Sequence, residues 1–349
     1  MTDQNTLARQ VATLANAHVL VVGDLMLDRF VSGTVDRISP EAPIPVFQIK
    51  DQRPMPGGAG NVAANVVALG GKATLIGVTG DDEAGRVLAE LLGNQTQLVA
   101  RTVVDADRPT SVKTRYVAQG QQVLRADSEE RHAIDDEAAA HLMQMVDAAL
   151  PDVGALVLSD YGKGVLTPDL LNHIIAKAAA RNIPVVVDPH GRDFARYKQA
   201  SYVSPNRAEL AEASGAPADT TAHILTAAQQ VMDRSGVAAM LVTRSEDGMS
   251  LIPHDGSVTH FSAEAREVYD VSGAGDTVVA AFAAALSVGT TPTDAAALAN
   301  TAAGIVVTKA GTATVSASEL IAHTHEAGLK ASDAKVRPLD EALRIVAGW

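Results

Sequence analysis

The chain has 349 residues, 47% of them hydrophobic, no cysteine and a formal net charge of −13. Disulfides and thiolate metal sites are thereby excluded, and with no sustained basic stripe a nucleic-acid binder is disfavoured. The start lacks a basic, cleavable apolar leader, and the longest uncharged stretch, 277–293, contains Gly289 and Pro292, so a soluble, cytoplasmic protein without a membrane span is expected.

In chain order, short β-branched runs at 18–23, 73–80, 154–160, 183–189, 201–206 and 238–244 alternate with helix-period segments near 60–70, 82–92, 135–150, 167–181 and 219–235. Continuous apolar strands separated by helices predict an α/β fold with a mostly parallel sheet covered on both faces. From 274 onward the pattern is mainly helical. Thr291, Pro292 and Asp294 read as N-cap, N1 and N3 of one helix, with Gly311 as its stop. Two regions break the alternation. Residues 29–52 have strand-like ends around a Pro-rich middle, and 110–127 read as a hairpin turning at Gln119-Gly120. They predict either two surface hairpins or one small sheet with a wet face, serving as a lid or a dimerisation surface. The tail, 328–349, carries one amphipathic piece, "LDEALRIVAGW". His323 and His325 read as solvated on a polar helix, and no zinc or iron site is expected.

Chemistry concentrates in three stretches. In "DVSGAGDTVVAAF" (270–282), Gly273 and Gly275 allow a tight turn that leaves the amides around Ala274, Gly275 and Asp276 free at a helix start. Such amides form an anion site. Asp276 either caps the helix or accepts a proton from a hydroxyl attacking a phosphoryl group held there. In "PGGAGNVAANVVALGG" (56–71), Gly57, Gly58 and Gly60 precede Asn61 and an apolar helix; the glycines let a ligand approach the backbone and Asn61 can bond sugar hydroxyls. In "GDLMLDRF", Asp24 and Asp28 follow the first strand, where α/β sheets bind ligands; they suit polyol recognition or a turn. No P-loop and no dinucleotide fingerprint occurs.

Taken together, "GGAGNVAANVVALGG" and "DVSGAGDT" resemble the two signatures of the ribokinase (PfkB) family of carbohydrate kinases, over about residues 18–325. The resemblance implies a three-layer α/β/α fold with a small β-sheet lid that often dimerises, here one kinase domain over 1–327 with the lid segments inserted. It implies ATP and Mg²⁺, with a monovalent cation such as K⁺ near Asp270 and Ser272. Asp276 aligns with the family's general base, the Gly273–Asp276 amides with its anion hole, and Asn61 and Asp28 with sugar-binding positions. "SPNRAE" matches N-x-x-E, implying that Asn206 and Glu209 organise Mg²⁺ through water. Thr243, Arg244, Gly248, Gly275 and Asn300 fall where the family binds nucleotide. Met26 replaces an Asn that ribokinase-like members use on pentoses. Further stretches, "LSDYGKG" and "VVVDPHGRDFARY" among them, are similar to the kinases acting on D-glycero-β-D-manno-heptose 7-phosphate. That likeness makes Lys163 and Arg37 the candidates for the substrate's own phosphate, with Asp160 and Asp188 near the sugar. In many species that kinase is fused to a nucleotidyltransferase; with no second α/β unit before Trp349, a stand-alone form is expected, a homodimer through its lids.

Overall fold

The computed structural model describes residues 4–263 and 268–324; His325 and the tail lie outside the described residues. The first half runs α1 (Gln4–Thr13), β1 (His18–Gly23), β2 (Leu25–Ile38), β3 (Pro45–Gly58), α2 (Ala59–Ala68), β4 (Lys72–Gly80), α3 (Glu83–Gly93), β5 (Leu98–Asp105), β6 (Ser111–Ala118), β7 (Gln121–Ser128) and α4 (Asp136–Ala149). Then follow β8 (Ala155–Ser159), α5 (Pro168–Ala179), β9 (Val185–Asp188), β10 (Tyr202–Val203), α6 (Arg207–Ser214), α7 (Thr221–Ser235), β11 (Ala239–Thr243), β12 (Met249–Pro253), β13 (Thr259–Phe261), α8 (Ala274–Ser287) and α9 (Pro292–Val306).

The described residues form a main sheet in the order β13-β12-β11-β10-β9-β8-β1-β4-β5, parallel except at the β11–β12 and β12–β13 pairs. Side chains alternate across it, as the strand period requires. Val19 and Val21 of β1 join the apolar layer of α2, α8 and α9, while Leu20 and Val22 join that of α4, α5 and α7. This is the three-layer ribokinase-like arrangement. Helix α8 is buried from Asp276 through Ala285, which explains why it is apolar all round. Its Phe282 meets Tyr202 edge-on at 4.9 Å.

The two irregular segments build one second sheet, β3-β2-β6-β7, not separate hairpins. Strand β2 pairs in parallel with β6 from Met26↔Ser111 to Gly33↔Ala118, and the β6–β7 hairpin turns at Gln119 (φ 52°) and Gly120 (φ 79°) as expected. The strands are longer than predicted. They begin at Leu25 and end at Gly58, so the lid is rooted in the residues that flank β1 and α2.

Thr291 caps α9, its hydroxyl accepting from the Asp294 amide at 3.2 Å. The helix ends at Val306, before the expected stop, because the Gly311 amide donates to the Asp270 carboxylate (2.9 Å) in a separate turn. His323 is buried, not solvated: it lies beside Leu320, which enters the core. Among the described residues no helix is long and apolar enough to cross a membrane.

Phe282→Ala is expected to lower stability by about 3–5 kcal/mol with the urea m-value unchanged, read from equilibrium unfolding. A change below about 1 kcal/mol would contradict the central packing role of α8.

Candidate active site

Helix α8 opens on Gly273 at φ +74°, and a Cβ there would meet the Asn61 amide nitrogen at 2.6 Å, so only glycine turns the chain this close to α2. The Ala274 amide donates to the Val271 carbonyl at 3.2 Å. The amides of Gly275 and Asp276 therefore remain as the open donors of the first turn, one fewer than the sequence reading expected. A Cβ built on Gly275 would touch nothing within 4 Å, which leaves room for a ligand against that backbone.

Asp276 does not cap the helix. Its side chain is buried and accepts from Asn61 Nδ2 on Oδ2 and from the Tyr161 hydroxyl on Oδ1, each at 2.7 Å. Burial pushes its pKa up to about 6, against the pull of those two donors. Burial, with the Asp276 and Asp188 charges, holds the Tyr161 phenol well above its ordinary range, so it stays a donor. Behind Asn61, Thr277 donates to Asn65 and Asn65 donates to Asn61, both at 3.2 Å. Asn61 thus spends its amide on the carboxylate of Asp276 and ties α2 to α8.

Asp24 is buried. Its carboxylate accepts from the backbone amides of Tyr161 (2.7 Å), Lys163 (3.0 Å) and Val165 (3.2 Å), pinning the loop after β8. Asp28 lies on lid strand β2 and not in a loop, and pairs with Arg115 of β6 at 2.5 Å. Gly57 is needed for that packing: a Cβ would meet Asp28 Oδ2 at 2.5 Å. Gly58 takes φ +54° ahead of α2, and Met26 packs against both glycines, buried.

Lys163 is buried, and its ammonium is paired with Glu129 at 2.5 Å. Arg37 is exposed on β2, nine residues beyond Asp28 and so about 30 Å along the strand. Within one chain the two do not meet. Asp160 accepts from Tyr197 (2.7 Å) and faces Arg196 (3.4 Å), shaping the loop and not standing open. Asp188 ends β9, and burial raises its carboxyl well above the usual range, with the charges of Asp276, Glu209 and Asp160 adding.

On the other flank, N-x-x-E is a capping box. Asn206 Oδ1 accepts from the Glu209 amide (3.0 Å) and Glu209 accepts from the Asn206 amide (2.8 Å). Asp188 and Glu209 bear on each other as two acids: burial raises Glu209 too, against the pull of the Asn206 amide and His190. Oxygen donors of this kind fit Mg²⁺ held through its own waters. Thr243 bridges to Asn206, and Arg244 donates to Thr221 (3.3 Å) and to the Asp247 carbonyl (2.8 Å). Gly248, at φ +83°, closes the turn by accepting the Arg244 amide at 2.7 Å. Of these, Arg244 lines a cleft of about 430 Å³ together with Thr221, Asp247 and Ser262, and the Ser262 carbonyl accepts from Asn300 at 2.9 Å. Asp270 accepts from the Ser272 amide at 2.9 Å as well as from Gly311.

Four site residues escaped the sequence reading: Tyr161, Lys113, Arg115 and Glu129. Tyr161 stands beside Lys163 in a stretch already singled out. Lys113 and Arg115 alternate along a half-buried strand, a cue that two cations face one side. Glu129 had no local signal.

Residues 16–319 match the model of the pfkB family carbohydrate kinases. The chain is 52% identical over 343 residues to the bifunctional protein HldE of Rhodospirillum rubrum, covering 98% of this chain and 69% of that one. It is 48% identical over 349 residues to the bifunctional protein HldE of Paramagnetospirillum magneticum, covering 100% and 72%. In structure it is similar to Arabidopsis thaliana ribokinase complexed with ribose and ATP (TM-score 0.68, 21% identity, 88% of this chain and 99% of that one). It is also similar to Escherichia coli phosphofructokinase-2 in complex with potassium (TM-score 0.73, 19% identity, 89% and 98%).

Tyr161→Phe removes a donor that favours the charged carboxylate, so the Asp276 titration is expected to move above about pH 6. Carboxyl-carbon NMR of labelled aspartate reads this; an unmoved midpoint would show that the phenol does not hold the carboxylate.

Proposed function

The chain belongs to the pfkB family of carbohydrate kinases and is an ATP-dependent sugar kinase, and from that premise we propose that its acceptor is the anomeric hydroxyl of D-glycero-β-D-manno-heptose 7-phosphate. The product is the 1,7-bisphosphate, on the route to ADP-heptose and the lipopolysaccharide core. Support for this acceptor comes from the heptose-kinase-like stretches of the sequence and from relatives near 50% identity that are bifunctional by name. The working unit is taken as residues 1–327, acting in the cytoplasm.

One observation carries the mechanism: a buried carboxylate, Asp276, stands beside the open amides of Gly275 and Asp276 in the first turn of α8. Asp276 takes the proton of the C1 hydroxyl as that oxygen forms its bond to the γ-phosphorus and the bond to the β–γ bridging oxygen breaks, releasing ADP. The amides bond the phosphoryl oxygens as charge builds on them. Asn61 and Tyr161 hold the base in place, and the lid sheet covers the acceptor and excludes water. Thr243, Arg244, Gly248 and Asn300 border the nucleotide. Glu209 and Asp188, with Asn206 shaping the turn, would hold Mg²⁺ through its own waters, and the ion would supply neutralising charge on the phosphates. A monovalent cation such as K⁺ would sit by Asp270 and Ser272; the similar phosphofructokinase-2 is itself a potassium complex.

The lid carries exposed apolar side chains, Ile38, Ile44, Ile49, Val123 and Leu124, which support pairing of two lids in a homodimer. Sedimentation is expected to give a dimer, and a monomer at working concentration would remove this part of the reading.

Asp276→Asn is expected to keep the fold and ATP binding and to lose about 10²–10⁴ in kcat. Near-normal kcat would sink the general-base role. Since the base must be ionised, kcat/KM of the wild type should fall as pH drops through about 6. The acceptor is tested by ATP consumption against heptose 7-phosphate, sedoheptulose 7-phosphate, ribose, fructose and fructose 6-phosphate. Selective turnover of the first with product labelled at C1 is expected; selective turnover of another sugar overturns this substrate and leaves the kinase mechanism standing.

A further inference from the structure

Four cations lie between the lid and the loop after β8, and three are matched by an acid. Arg115 pairs with Asp28 and Lys163 with Glu129, both at 2.5 Å. Arg108 faces Asp105 at 3.4 Å and donates to the carbonyls of Lys163 and His132. The fourth, Lys113, makes neither a hydrogen bond nor an ion pair with any of the described residues; its half-buried ammonium sits 5.0 Å from the centroid of the Tyr161 ring. Burial pushes that ammonium below the ordinary lysine range, and Lys163 and Arg115 add to the effect while Asp28 opposes it. A dehydrated cation crowded by other cations is stabilised by any anion that reaches it.

Position narrows which anion. Lys113 is the register partner of Asp28, and the charges that bear on it most are Asp28, Lys163, Arg115 and Glu129, all on the lid or the loop after β8. None belongs to the Asn206–Gly248 flank, and the first turn of α8 already offers two amides to the group in transfer. The phenol ring of Tyr161 spans the gap between Lys113 and the base. The ammonium's charge bears on Asp276 as well, so a sugar whose reacting hydroxyl lies at Asp276 has this ammonium within reach of its other end.

Resting on the kinase reading above, we propose that Lys113 is a specificity-determining residue that binds a phosphate already present on the acceptor, the role the sequence reading gave to Lys163 and Arg37. The site would then select phosphorylated sugars over free ones because only a phosphomonoester neutralises this ammonium.

Steady-state kinetics of the full chain and of Lys113→Met test it, with heptose 7-phosphate, unphosphorylated heptose and ATP each varied. The expected result is a rise of about tenfold to a hundredfold in KM for heptose 7-phosphate, with KM for ATP and for the free heptose within about threefold. A fall in kcat at unchanged KM would instead place Lys113 on the phosphoryl group in transfer and overturn the proposal. Equal losses on both sugars would also overturn it. Should the variant fail to fold, inorganic phosphate against the wild type decides: competition with the acceptor supports the site, and competition with ATP alone refutes it. If the panel finds a different phosphorylated acceptor, the heptose reading fails and the same kinetics on that sugar judge Lys113. An unphosphorylated acceptor overturns both.

Discussion

The rest of the site depends on burying one carboxylate, Asp276, at the start of a helix that is buried on every side. A charge in that position is tolerable only with donors on both oxygens, and Asn61 and Tyr161 supply them from α2 and from the loop after β8. Those donors cannot be moved independently. Asn61 is held by Asn65, Asn65 by Thr277, and Thr277 returns to α8, so the Asp276 carboxylate is oriented by a closed run of side chains spanning both helices. The balance between burial and donation leaves the pKa at about 6, so the carboxylate is ionised at neutral pH, as the proposed general-base role requires.

The loop after β8 joins this floor to the lid. Asp24 holds three of its amides, Asp160 is fixed by Tyr197, and Lys163 reaches Glu129 just past the last lid strand. The lid strands are rooted beside the same loop, at Leu25 and Gly58. Movement of the lid would therefore carry Asp28, Lys113 and Arg115 together, while Asp276 and its open amides stay with the main sheet. Such a division suits a kinase that must admit a sugar and then exclude water.

Much of the fold was legible because its signals are local. Strand runs at 18–23 and 73–80 match β1 and β4 closely, since buried parallel strands read as continuous apolar segments. The Thr291 cap and the Gln119-Gly120 turn were equally plain, each being set by a few neighbouring residues. Where local patterns carry two meanings, the structure separated them. N-x-x-E marked a family position and is also a capping box; a carboxylate after β1 marked a ligand loop, yet Asp24 serves backbone amides and Asp28 a lid arginine.

By itself, then, the sequence determined the α/β alternation, the two segments that break it, the glycine turn ahead of Asp276 and the family resemblance, because all of these are written in short spacings. Only the tertiary structure decided which charges are already matched. Asp28 meets Arg115, Glu129 meets Lys163 and Asp276 meets Tyr161 across separations that no local pattern encodes. Pairing in a folded chain is set by which elements pack together, and that is why Lys163 is matched by Glu129 while Lys113, across the same site, has no acid partner among the described residues.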